Sequence, residues 1–108
     1  WRLIRRSVDG LMDAAPAAED LARIEASITA TLPPGARYHA LRARVAGQQT
    51  FIDLHLTVDG AMAVVEAHLL CDRIEAAVEQ ALPSARVTIH VEPSTEGGRA
   101  PTVIDAAK

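Results

Sequence analysis

The chain has 108 residues, 49% of them hydrophobic and 23% charged, with a net charge of −3. That balance describes one globular domain: a disordered segment would be less apolar and more charged, and no apolar run approaches the ~18–20 residues that cross a bilayer. A single cysteine, Cys71, excludes a disulfide framework and a zinc site of the paired-cysteine type, while mild acidity and three aromatic residues argue against nucleic acid as a partner.

The start at Trp1 rather than methionine is what a fragment or processed product shows. Trp1-Arg2-Leu3-Ile4-Arg5-Arg6 suits the cytoplasmic end of a membrane helix, where tryptophan sits at headgroup depth and arginines stay inside; an amphipathic lead-in fits those six residues equally well. No signal peptide is visible, because a continuous apolar stretch is missing. Pro16, Glu19 and Asp20 suit the start of a helix, and Leu21, Ile24, Ile28 and Leu32 recur at helical spacing until Pro33-Pro34-Gly35 ends it. Tyr38 to Val45 reads as a strand and Ala46-Gly47-Gln48-Gln49 as a turn. From Phe51 to Val58, Ile52, Leu54, Leu56 and Val58 alternate with Asp53, His55 and Thr57, which predicts a half-buried strand.

Asp59 is the expected cap of a second helix over about Ala61 to Leu82, its buried stripe being Val64, Ala67, Leu70, Cys71, Ile74, Ala77, Val78 and Ala81, with His68 at the edge. Pro83 stops it. A third strand places Ala85, Val87, Ile89 and Val91 on one face and Arg86, Thr88, His90 and Glu92 on the other. Each helix ends in Leu-Pro, followed by Ala-Arg and a strand carrying a histidine. The expected fold is therefore α+β, in the order α-β-β-α-β, with two helices on one face of a three-stranded sheet. Pro93 to Lys108 reads as a loose tail.

The histidines carry the chemistry. His55 and His90 lie on polar strand faces, Glu92 shares the face of His90, His39 opens the first strand and His68 sits on the second helix. Imidazoles and a carboxylate suit zinc and its first-row neighbours. A lone histidine is more often a solvated surface residue, so the residues alone leave both readings open. Nucleophilic catalysis has no support: Cys71 is expected on a buried helix face, the serines lack a base and orienting acid, and Gly97-Gly98 joins no strand to a helix.

Five ordered motifs span Asp9 to Pro93: Gly10-Leu11-Met12-Asp13, His39-Ala40-Leu41-Arg42-Ala43-Arg44, Phe51-Ile52-Asp53-Leu54-His55-Leu56, Glu66-Ala67-His68-Leu69-Leu70-Cys71-Asp72 and Val87-Thr88-Ile89-His90-Val91-Glu92-Pro93. Together they resemble the C-terminal cytoplasmic domain of the cation diffusion facilitator (cation efflux) transporters. The resemblance implies a metallochaperone-like (ferredoxin-like) fold that pairs as a V-shaped homodimer below the membrane. It implies a parent transporter that exports a divalent cation in exchange for protons, with the transport site in a membrane domain outside these 108 residues. Residues 1–13 would then be the end of the last membrane helix and its linker, 14–93 the cytoplasmic dimerisation and metal-binding domain, and 94–108 the tail. His39, His55, His68 and His90 fall where members with a binuclear cytoplasmic site place histidine ligands. Glu92 stands where several members place a bridging aspartate, and its extra methylene moves the oxygens outward by about one bond. Asp13 matches an acidic residue that pairs with a lysine of the membrane domain in some members. The implied ligand is zinc, with cadmium, cobalt, nickel, manganese or iron as alternatives. A metal-independent dimerisation module is the competing function.

Overall fold

Two prolines decide where the helices stop. In the computed structural model, which describes residues 14–94, α1 spans Ala18–Thr31 and α2 spans Val64–Ala81. Leu32 and Leu82, the residues before Pro33 and Pro83, both lie in extended conformations, because the proline ring clashes with a helical residue in front of it. Each leucine still donates its N–H into the last turn, to the carbonyls of Ile28 and Val78. The repeated Leu-Pro is thus one stop device used twice. At the other end of α1 no side chain caps the helix, and Glu19 and Asp20 offset the positive end of its dipole.

The start of α2 differs from expectation. Asp59 does not cap it: Asp59 Oδ1 accepts the N–H of Ala61 at 2.8 Å in a separate turn, and the helix begins only at Val64 after Ala63. An aspartate bonding two residues onward makes a local turn as readily as a cap.

Three strands complete the domain, β1 Arg37–Ala46, β2 Gln49–Val58 and β3 Ala85–Pro93, in the spatial order β1-β2-β3. β1 and β2 form an antiparallel hairpin closed by Gly47 and Gln48, with Gly47 at φ +62°. β2 and β3 run parallel, joined through α2. Ala14 adds an isolated antiparallel bridge to Val45, so the chain enters the described domain along the outer edge of β1 at its hairpin end.

Ile24 and Ile28 of α1 and Leu70, Ile74 and Val78 of α2 pack with Ile52, Leu54, Leu56 and Val58 of β2 in one buried cluster. Both helices therefore cover a single sheet face, as expected. The other face is open. Two expected core positions are not buried: Val64 and Val91 are 85% and 46% exposed, because α2 starts late and leaves the C-terminal end of β3 uncovered. Cys71, Ala77 and Ala81 are half-buried. The segments 1–13 and 95–108, including Asp13, the motif around it and nearly all of the tail, lie outside the described residues. Ser94, the first residue assigned to the tail, donates its N–H to the Val58 carbonyl at 2.7 Å.

Candidate metal centre

Strand register builds the site. His39 of β1 pairs with His55 of β2, and His55 pairs with His90 of β3. Residues directly opposite one another share a sheet face, so three imidazoles form one row across the open face. Their ring centroids are 5.2 Å apart for His39 and His55, and 5.1 Å apart for His55 and His90.

A bulge makes the first of these contacts possible. Between His39 and Arg42, β1 has one residue more than β2, and Ala40 takes the left-handed φ of 54°. The extra residue shifts the alternation of β1 by one place. Arg37 and His39 before it, and Arg42 and Arg44 after it, consequently all face the open side with Thr57, His55, Asp53 and Phe51. The sequence carries the signal, since polar His39 and Arg42 are separated by two apolar residues rather than one.

Glu92, two residues beyond His90, reaches back along the row. Its Oε1 lies 3.0 Å from His39 Nε2 and its Oε2 lies 3.3 Å from His55 Nδ1. Thr57 Oγ1 donates to Oε1 at 3.4 Å, a contact that composition and spacing did not single out. The donor atoms of His39, His55 and Glu92 all fall within 4.8 Å of one another. Zinc–ligand bonds of about 2 Å place the donors of a tetrahedral site about 3.4 Å apart, so small rotations of partly exposed side chains close this set around an ion. Nitrogen and oxygen donors of this kind fit zinc and similar divalent ions.

His68 stands apart from the row. It lies on α2, in the layer that covers the opposite sheet face, is 72% exposed in its side chain and has its Nε2 3.4 Å from Asp72 Oδ2. Within the single chain His39, His55, His90 and Glu92 thus come together, and His68 lies outside that group.

Residues 16–94 match the family described as cation efflux protein, cytoplasmic domain, and the chain belongs to it. It is similar to the structure of CzrB, a candidate zinc transporter, at 40% identity and a TM-score of 0.68, over 74% of this chain and 99% of that one. The zinc form of CzrB gives 42% identity and a TM-score of 0.69, over 82% and 100% of the two chains. A metal-bound C-terminal domain of CzcD from Thermotoga maritima gives 32% identity and a TM-score of 0.60, over 78% and 99%. No curated protein matches the chain. The fold is accordingly the metallochaperone-like α-β-β-α-β arrangement of these cytoplasmic domains, and among the described residues no helix is long and apolar enough to cross a membrane.

Proposed function

We propose that this domain is the zinc-responsive, dimerising regulatory unit of a divalent-cation efflux transporter. The observation that carries it is the convergence of His39, His55 and Glu92, with His90 stacked beside them, on one open sheet face. CzrB has a zinc form and CzcD a metal-bound form, which supports zinc or a similar ion here. His68 lies on the helical layer, away from the sheet face that carries the row, so its natural contribution to a shared ion comes from a second copy of the chain. An ion held between two protomers favours whichever arrangement brings its ligands together, by its differential affinity for that arrangement. Through the linker before Ala14 that preference would pass to the membrane domain.

Imidazole ligates only as the neutral base, and ordinary imidazole protonates near pH ~6.5. Zinc titrated calorimetrically into chelator-stripped protein should bind saturably at pH 7.5 with proton release and weaken markedly at pH 5.5. Glu92→Gln should lower the affinity about tenfold or more, since loss of even an outer hydrogen-bond partner of a metal site typically costs 10–100-fold. His68→Ala should affect zinc-dependent dimerisation more than uptake by one protomer. Binding equal at the two pH values would sink the histidine assignment.

A second reading rests on a separate observation. Val64, Val65, Leu69 and Val91 are exposed apolar residues around the start of α2 and the end of β3, a surface suited to pairing without metal. A dimer of unchanged affinity in chelator, with His55→Ala and His90→Ala behaving like the parent, would favour a purely structural module.

A further inference from the structure

His68 is the candidate ligand whose surroundings the histidine row does not set. It stands on α2 with Asp72 one turn later, and residues four apart on a helix share one face. His68 Nε2 lies 3.4 Å from Asp72 Oδ2, with the two side chains 72% and 52% exposed. A small rotation of so open a ring turns that approach into a hydrogen bond.

The neighbourhood of Asp72 favours this partner. α2 lends His68, Asp72 and Glu75 to a groove of about 500 Å³, and β3 lends Val91, Glu92 and Pro93 to its other side. Among the described residues no lysine or arginine lines that groove. Asp20 of α1 meets the guanidinium of Arg23; Asp72 meets an imidazole instead, a group that is neutral when it ligates a metal.

Asp72 and Glu92 differ in what they can do. Glu92 faces two imidazoles, and the donor atoms of His39, His55 and Glu92 lie within 4.8 Å of one another. Asp72 faces one, and with His68 it belongs to no comparable group of three donors among the described residues. A lone carboxylate–imidazole pair does not enclose an ion. A carboxylate on the far nitrogen of a ligating imidazole does something else: it fixes the tautomer, aims the ring and raises its basicity.

We propose that Asp72 is a positioning residue for His68: its Oδ2 accepts the Nε2–H, which leaves Nδ1 as the atom that His68 offers to an ion on the row of a second copy. This rests on the reading of His68 as a ligand given across the pair. The open sheet face stays free for that second copy, and the ring is aimed before the ion arrives, so less freedom is lost on binding.

The test is zinc-dependent dimerisation of the full chain, followed by sedimentation velocity as zinc is titrated into chelator-stripped protein. Loss of an outer partner of a metal ligand costs about 10–100-fold in affinity, so Asp72→Ala should raise the zinc concentration needed for pairing about tenfold or more. Asp72→Glu keeps an acceptor at the same place on the helix and should stay within about threefold of the parent. Glu75→Ala removes the same charge near the same groove and should cost less than about threefold, because a screened charge farther from the ion acts weakly. In a His68→Ala background Asp72→Ala should add less than about twofold, since a residue acting through His68 then has nothing to position. In zinc-loaded protein carrying nitrogen-15 histidine, two-bond nitrogen–proton correlation spectra should place the proton of His68 on Nε2 and the zinc on Nδ1.

Zinc on Nε2, equal losses in Asp72→Ala and Glu75→Ala, or an undiminished effect of Asp72→Ala without His68 would overturn the positioning role alone. Pairing that is independent of His68, or a parent that binds no zinc, would overturn the underlying reading with it.

Discussion

Glu92 shows how one side-chain length sets what a site can bridge. Adjacent strands lie about 4.8 Å apart, so a residue on β3 must reach past β2 to contact His39 on β1. Glu92 does so while its second oxygen stays on His55. An aspartate here would keep the charge and lose most of that reach. Cys71 is the other residue whose surroundings fix its behaviour. Partial burial, with the carboxylates of Glu75 and Asp72 adding to it, pushes its thiol above the ordinary value. At pH 8 it should alkylate with iodoacetamide more slowly than free cysteine, and Asp72→Asn/Glu75→Gln should speed the reaction. Because folding raises this value, the protonated thiol contributes stability that is complete below the ordinary value of about pH 8.5 and is lost as pH rises through the folded value. A urea midpoint that declines above pH 9 in the parent but not in Cys71→Ala would show that loss.

At the scale of elements, the hairpin carries two left-handed residues with opposite consequences. Gly47 has φ +62° and no atom within 4 Å of where a Cβ would sit, so Gly47→Ala meets torsional strain alone. It should destabilise the domain by about 1 kcal/mol in urea unfolding. Ala40 holds φ 54° with a Cβ already in place. Ala40→Gly should stabilise by up to about 1 kcal/mol, the strain relieved exceeding glycine's added freedom in the unfolded chain. The order of elements and their buried faces were legible in the sequence because they rest on strong periodicity: Ile52, Leu54, Leu56 and Val58 alternate without a break, and Ile24 and Ile28 recur at helical spacing. The start of α2 was not legible, because Asp59 can equally make a cap or a turn and nothing local decides between them. The exposure of Val64 and Val91 follows from that late start, a tertiary fact absent from either residue's neighbours. His55, His90 and Glu92 could be placed on polar faces from alternation alone. Their alignment with His39 needed the bulge at Ala40, marked locally by the two apolar residues between His39 and Arg42, and the parallel pairing of β2 with β3, which is set by contacts distant in sequence.

At the scale of the molecule, the domain is small enough that bound ligands weigh heavily in its stability. The described domain, residues 14–94, supports only a modest core, and zinc held at a hundred times its dissociation constant would add about 2.7 kcal/mol. For a domain of this size that corresponds to a rise of about 10 °C or more in Tm, measured against the chelator-treated protein. The sheet that carries the ligands also sets the order in which they meet. β1 and β2 are joined by a two-residue turn and can pair as soon as the hairpin forms, whereas β3 reaches β2 only after the 59–84 crossover has closed. Closing the longer loop costs more chain entropy and comes later in folding. His39 and His55 are therefore early neighbours, and His90 and Glu92 late arrivals. An ion that requires all four is captured after the rate-limiting step. In stopped-flow experiments at that same zinc concentration, zinc should then slow unfolding about a hundredfold and leave the refolding rate unchanged. If the row holds an ion as proposed, parallel pairing makes metal occupancy a check on completed assembly: a half-folded domain would still display histidines but lack the strand that completes the set.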